Sequence, residues 1–325
     1  MKRMLLSLLT VTALLISNIS FGSDLTDKLQ SASVTIKAGR SQGSGVFITR
    51  NIEGRDVTFI ITAGHVIDHL KKTRTEIKDG KELKVVGFDD VGLVQEFQQD
   101  GRKVGETSFI ARVLRFSDAD LGDDLALLQV RKYNFTKATV EFYLGDDVPA
   151  IGTELYHVGS LLGQVGANSL TTGIISQTGR VLDLAGGEGV VFDQTTATAF
   201  PGSSGGGVFL KSDGKYVGTL VRGAGEGFNL IVPIRRLRGW ADGAKVGWIV
   251  DPAQKQPTLD ELKKMSPSDV ADLRPSALRG ISYDYTNRRY PFLIRLEDAP
   301  KAQSFPFAPE SPDLPVFTPA STPAP

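Results

Sequence analysis

A serine hydroxyl is a weak nucleophile at neutral pH. It needs a base within hydrogen-bond reach, and that base needs a third group to fix its tautomer. This 325-residue chain has no cysteine and only three histidines, so the base can be sought by elimination. His65 follows Ile60-Ile61-Thr62-Ala63-Gly64, at the end of an apolar run where a turn begins and a cleft can form. His157 lies inside Leu155-Tyr156-His157-Val158-Gly159 and reads as a packed strand residue, and His69 as a surface residue ending a short helix. His65 and His69 are spaced to share a helix face. Val66, however, stands where a zinc-binding His-Glu-x-x-His carries its glutamate. Without thiolates, and with so few imidazoles, no metal or other cofactor is expected, and disulfides are excluded.

The serine candidate is Ser204, in Phe200-Pro201-Gly202-Ser203-Ser204-Gly205-Gly206-Gly207-Val208. Glycines around a serine let the backbone turn sharply and let the amides of Gly202 and Ser204 converge on one oxyanion. The same pattern also describes a plain glycine-serine loop. The acid is Asp124, with Asp123 beside it as an alternative, directly before the apolar run Leu125-Ala126-Leu127-Leu128-Gln129-Val130. Taken alone, this pair reads as turn acids capping a strand.

Together, in the order His, Asp, Ser, the three segments resemble the signature segments of chymotrypsin-like (trypsin-fold) serine proteases. Thr172-Gly173-Ile174-Ile175-Ser176, Phe192-Asp193-Gln194-Thr195 and Gly225-Glu226-Gly227-Phe228 point to the bacterial Deg/HtrA-like branch. The resemblance runs from about Ser33 to Pro233. It implies Ser204 as nucleophile, His65 as general base and then acid, Asp124 as the group orienting His65, and the amides of Gly202 and Ser204 as oxyanion hole. It implies that Thr198, beside Ala199, helps floor the pocket for the residue before the cut. It places Val221-Arg222-Gly223 along extended substrate as one more strand. Arg222 is either a cleft cation favouring acidic groups or a solvent-facing strand residue. Ser203 replaces the aspartate that receives a new N-terminus in digestive relatives, and Val221 replaces a hydroxyl residue that supports the catalytic aspartate. Relatives of this branch usually add a PDZ domain, for which the chain after Pro233 shows no pattern. The alternative is a catalytically weak or inactive protease-fold binding protein.

The elements that must position these residues are strands. Between Ser33 and Val232, β-branched and aromatic runs of strand length are punctuated by glycine, and helical periodicity is scarce. The pattern argues for an all-β sandwich or barrel region; the resemblance implies two antiparallel six-stranded, chymotrypsin-like barrels at 23–145 and 146–240, with a glycine-containing seam near Tyr143–Gly152. A short helix at Ile234–Ala241 leads into a small α-helical extension at 241–299, with helices at Thr258–Met265 and Ser266–Leu273 and a strand or two in Ala277–Leu296. A proline-rich tail at 300–325 reads as disordered. Residues 1–22 read as a signal peptide: Lys2 and Arg3, an apolar stretch from Met4 to Ile19, then Ser20 and Gly22 preceding a cut after Gly22. An uncleaved anchor helix is the other reading of that stretch. Export to the periplasm or beyond is expected, with no stable membrane insertion after cleavage. Hydrophobic residues make up 41% and charged residues 23%, and the formal net charge is +0, so no basic surface is offered to nucleic acid. The partner expected is a protein or peptide substrate; the sequence does not indicate an oligomeric state.

Overall fold

Short apolar runs broken by tight turns close into two antiparallel barrels in succession. The computed structural model describes residues 21–265 and 267, except 79–80, 100–101, 121, 184–188 and 224–226. Helix α1 (Phe21–Ser31) is followed by β1 (Ser33–Ala38), β2 (Ser41–Ile52) and β3 (Arg55–Thr62). Next come a one-turn helix α2 (Gly64–Ile67), β4 (Lys71–Lys78), β5 (Lys81–Phe88), β6 (Val91–Gln99), β7 (Arg102–Ser117) and β8 (Leu125–Val130). The second series is β9 (Glu154–Leu161), β10 (Gly166–Asp183), β11 (Gly189–Thr195), β12 (Gly207–Leu210), β13 (Tyr216–Gly223) and β14 (Asn229–Pro233). Helices α3 (Ile234–Gly243) and α4 (Leu259–Lys264) complete the described chain.

The first barrel runs β1-β2-β3-β8-β7-β6 and the second β10-β11-β14-β13-β12-β9. Closure pairs both edges of each strand within the two barrels. The seam expected near Tyr143–Gly152 lies in the connection between β8 and β9, where one bridge, Phe142 to Tyr216, ties it to the second barrel. Strands β4 and β5 form a separate two-stranded hairpin. It was not foreseen, because its lysine-rich sequence carries no clean apolar alternation. Strand β10, 18 residues long, contains the segment Thr172–Ser176.

Every residue of β8 is buried, as is β3 from Val57 to Thr62. Successive strand residues point to opposite faces, so both faces of these strands must be covered. The C-terminal extension does this on one side. Phe59 meets the Trp248 ring edge-on at 5.1 Å, and Trp240, Ile249 and Leu262 are buried in the same core. Arg50 donates to the Ile249 carbonyl (2.5 Å), Arg115 to Ala244 (2.8 Å) and Arg112 to Leu262 (2.6 Å), which satisfies carbonyls left free at irregular turns and helix ends. Thr258 and Glu261 form a reciprocal capping box that starts α4. The extension is therefore part of the first barrel's packing. Phe21 and Gly22 begin α1; residues 1–20, the expected helix Ser266–Leu273, the segment Ala277–Leu296 and the proline-rich tail lie outside the described residues.

Candidate active site

The His65–Asp124 pair follows from strand register. Antiparallel pairing of β3 with β8 sets Thr62 opposite Ala126, so two residues further on Asp124 falls beside Gly64 and next to His65. Asp124 takes a left-handed φ of 55°, a conformation that aspartate tolerates better than most residues. Its carboxylate accepts from the His65 backbone N–H at 3.0 Å, and both oxygens lie 3.0 Å from Nδ1 of the ring. The Asp124 side chain is 1% exposed and that of His65 38%, so the acid is buried behind a ring that reaches solvent. Burial alone would raise the Asp124 carboxyl. The His65 side-chain hydrogen bond, the ring's charge, its backbone N–H and the charge of Arg222 outweigh this and hold the carboxyl below the usual range.

The neighbouring acid is committed elsewhere. Asp123 is buried and accepts from Arg236 Nε at 3.0 Å, while its N–H donates to Ser117 Oγ at 2.7 Å. Arg236, on α3, also donates to the carbonyls of Val191 and Gly122 and lies over the Phe192 ring. The helix after the second barrel thus fixes the first-barrel loop that delivers Asp124. The two adjacent acids thus have different partners: Asp123 binds Arg236, more than a hundred residues away, and Asp124 bonds His65.

The two serines are also separated by the structure. Ser203 is fully buried and its Oγ accepts from the Phe200 N–H at 3.1 Å, whereas Ser204 is half-buried. Within the loop, the N–H groups of Ser203, Gly205 and Gly206 donate to the carbonyls of Phe200, Leu220 and Ser203. Among the described residues, the N–H groups of Gly202 and Ser204 have no acceptor. These are the two amides expected to bind an oxyanion. Gly202 has a φ of +96°, and a Cβ there would run into the Ser160 carbonyl and approach the Gly163 nitrogen to 2.5 Å.

Ser44 docks this loop on the first barrel. Its N–H donates to the Ser204 carbonyl (2.8 Å), its Oγ donates to the Gly202 carbonyl (2.7 Å), and that Oγ accepts from the Ser160 N–H (2.7 Å). Thr62 Oγ1 returns a bond to the Ser44 carbonyl. At Gly205 a Cβ would collide with the Ser44 carbonyl and the Thr62 hydroxyl and lie 2.9 Å from the Ala63 nitrogen. Gly205, next to Ser204, therefore sits against the segment that carries His65. The His65 ring bonds only Asp124 among the described residues, and no hydrogen bond joins it to the Ser204 hydroxyl. In structures without substrate such bonds are often long. Ser44 and Arg236 were not singled out in the sequence, and Thr62 only as part of the segment ending at His65; the glycines flanking Ser44 were the one local hint.

The remaining expected residues separate. Val221 is buried at a bulge between β13 and β14, Gly223 is exposed at the end of β13, and Thr198 is exposed with its carbonyl held by Thr171 Oγ1 at 2.9 Å. The Arg222 side chain is 35% exposed. Its guanidinium donates to the Ala119 carbonyl at 2.8 Å and lies 3.7 Å from Asp120, bracing the loop that leads to Asp124. Asp124 is thus supported by the charge of Arg222, although Val221 brings no hydroxyl. His69 bonds the Ala38 carbonyl. Among the described residues no cluster of three or more His, Asp or Glu side chains could hold a metal ion.

The model for the trypsin-like peptidase domain matches residues 43–218, more than half of the chain. The chain belongs to the trypsin-like peptidase domain family. By family this trypsin-like peptidase is a serine-protease-type hydrolase, and its matched span contains His65, Asp124 and Ser204. Two solved structures are similar. A serine endoprotease from Yersinia pestis shares 20% identity at a TM-score of 0.49, over 69% of this chain and 66% of that one. Deg5 shares 22% identity at a TM-score of 0.47, over 66% of this chain and 88% of that one. The trypsin-like peptidase thus spans just under two thirds of the Yersinia chain. No curated protein matches it.

His157 takes no part in the pair. It is fully buried in β9 beneath Gly206, with Nδ1 3.1 Å from the Gly207 carbonyl and Nε2 unpartnered. Burial lowers its pKa from 6.5 to about 4, against the opposing effect of the Gly207 carbonyl. The unfolded chain therefore binds a proton that the folded chain refuses. The resulting stability is complete above pH 6.5 and falls as pH drops through about 4, by about 3 kcal/mol at that point. Urea unfolding of wild type and His157→Gln between pH 7 and pH 4 should show this loss as the difference between the two pH slopes. Parallel slopes would refute it.

Proposed function

We propose that this trypsin-like peptidase is an exported serine endopeptidase that hydrolyses proteins or peptides through an acyl-enzyme. The observation that carries the reading is a buried carboxylate bonded to an imidazole, beside a half-buried serine flanked by two free amides. In this reading His65 Nε2 takes the Ser204 proton as Oγ attacks the scissile carbonyl. Asp124 keeps the other ring proton on Nδ1 and stabilises the imidazolium. The amides of Gly202 and Ser204 receive the oxyanion and contribute roughly 3–4 kcal/mol each to barrier lowering. His65 then passes its proton to the leaving amine. Water, activated by the same ring, attacks the acyl carbonyl and releases Ser204. The loop holds both donor amides free with Ser203 in place of an acid, so it needs no inserted N-terminus to order it.

Export rests on Lys2, Arg3 and the apolar stretch before Ser20 and Gly22. The test is digestion of an unfolded protein followed by mass spectrometry. Wild type should generate new termini at defined sites and Ser204→Ala should not; equal digestion by both would remove Ser204 from the mechanism. An intact mass of the exported chain beginning at Ser23 would fix the cut, and retention of residues 1–22 would refute it. The second reading, a binding protein on the same fold, is favoured by one observation: the Ser204 hydroxyl is not bonded to His65. A folded wild type that cleaves nothing would support it.

A further inference from the structure

Two consecutive arginines near the start of α3 are each buried and ion-paired. Arg235 grips the second barrel. Its Nη1 and Nη2 donate to the two carboxylate oxygens of Asp193 on β11, and that carboxylate also accepts from the Gly179 N–H of β10. A two-pronged pair of this kind fixes orientation as well as distance, so the start of α3 is held firmly on two strands. Arg236 spans both barrels. On the second-barrel side its guanidinium lies over the Phe192 ring, 4.8 Å from the centroid, and Nη1 donates to the Val191 carbonyl at 3.1 Å. On the first-barrel side Nε donates to Asp123 Oδ1 at 3.0 Å and Nη2 to the Gly122 carbonyl at 3.3 Å. Gly122 and Asp123 are the two residues immediately before Asp124. The Asp124 N–H donates back to the Asp118 carbonyl at 3.1 Å, and its backbone is left-handed, with a φ of 55°. A non-glycine residue stays in that region only where its surroundings over-determine it.

We infer that Arg236 is a positioning residue for the reaction, acting through Asp124. By holding the two preceding residues against the second barrel, it sets the direction in which the Asp124 carboxylate meets the His65 ring. The acid's loop is thereby tied to the barrel that carries Ser204. The inference rests on the peptidase reading above and adds to it a residue far along the chain that touches no reacting atom.

Arg236→Met alone would leave the Asp123 carboxylate buried without this cation and endanger the fold. Both charges are therefore removed together, as Asp123→Leu with Arg236→Met, and thermal melts are recorded beside steady-state kinetics on a short ester or peptide. The pair variant should lose about 10²-fold in kcat with KM nearly unchanged, the scale of a misplacement of ~1 Å. In an Asp124→Asn background the same pair of changes should cost less than about threefold, because the group that Arg236 positions is already disabled. Arg236→Lys keeps a cation for Asp123 but not the planar fork that also reaches Gly122, and should lose about tenfold. Should the pair variant fail to fold, this milder variant runs through the same cycle and decides. A folded variant with wild-type kcat, a loss carried by KM, or an equal fold-loss with and without the Asp124 carboxylate would each overturn the inference and leave the peptidase reading intact. A folded wild type that neither cleaves nor reacts with a fluorophosphonate overturns that reading, and the inference falls with it.

Discussion

Replacing Asp124 with asparagine should lower kcat by about 10⁴-fold while leaving KM and the fold nearly unchanged. The loss corresponds to about 5.5 kcal/mol of transition-state stabilisation. Asparagine matches aspartate in size and also tolerates the left-handed backbone that this position requires. It keeps an oxygen for the His65 N–H, but it presents an amide N–H₂ to the imidazole. The ring must then turn its acceptor nitrogen inward, which leaves a protonated Nε2 facing Ser204 and no base. Asp123 cannot substitute, because Arg236 and the Ser117 hydroxyl hold it in a buried pocket. Steady-state kinetics with a short ester or peptide substrate, beside a thermal melt of each protein, checks the prediction. A loss of less than about tenfold at unchanged stability would mean that Asp124 does not set the tautomer.

Gly202→Ala should cost about 10²–10³ in kcat, the effect of losing one oxyanion donor. The obstacles to a methyl group there are the Ser160 carbonyl and the Gly163 nitrogen, both backbone atoms in the second barrel. Neither can rotate away as a side-chain end could. The φ of +96° adds strain for any residue with a Cβ, on the order of 1–3 kcal/mol. Relief requires the 201–203 segment to move, and the Gly202 N–H moves with it. Because the hydrogen bonds of His65 with Asp124 involve none of these atoms, the base should survive. The signature is a fall in kcat with a normal pH profile. A variant as active as wild type would show that the Gly202 amide is not an oxyanion donor.

The three candidate segments were legible because the proposed chemistry demands particular residue types at strand ends, and strand ends are marked by local apolar runs. What holds the residues beside Asp124 and Ser204 was not legible: Arg236, far along the chain, binds Asp123, and the Phe200 N–H donates to the Ser203 hydroxyl. The Arg222 contact was not legible for the same reason: its partner, the Ala119 carbonyl, lies in the other barrel, and no local pattern announces such a bond. A β-rich region was legible from strand-length runs and its two barrels from the family resemblance, but the β4–β5 hairpin was not. Its residues include Lys71, Lys72, Arg74, Lys78, Lys81 and Lys84, so apolar periodicity is weak there. The C-terminal extension read as an appendage. Trp240 and Trp248 show it to be a cover for the first barrel, and the buried outer faces of β3 and β8 are its complement.

Whether the imidazole, the carboxylate and the hydroxyl act as one unit is tested most directly by covalent capture. A fluorophosphonate is incubated with wild type, Ser204→Ala and His65→Ala, and the modified peptide is sequenced by mass spectrometry. Wild type should take up one phosphonyl group, on Ser204. Ser204→Ala should take up none, and His65→Ala should react at a negligible rate despite an intact hydroxyl. Addition to Ser203 or another serine, or equally fast reaction without the His65 ring, would contradict the account.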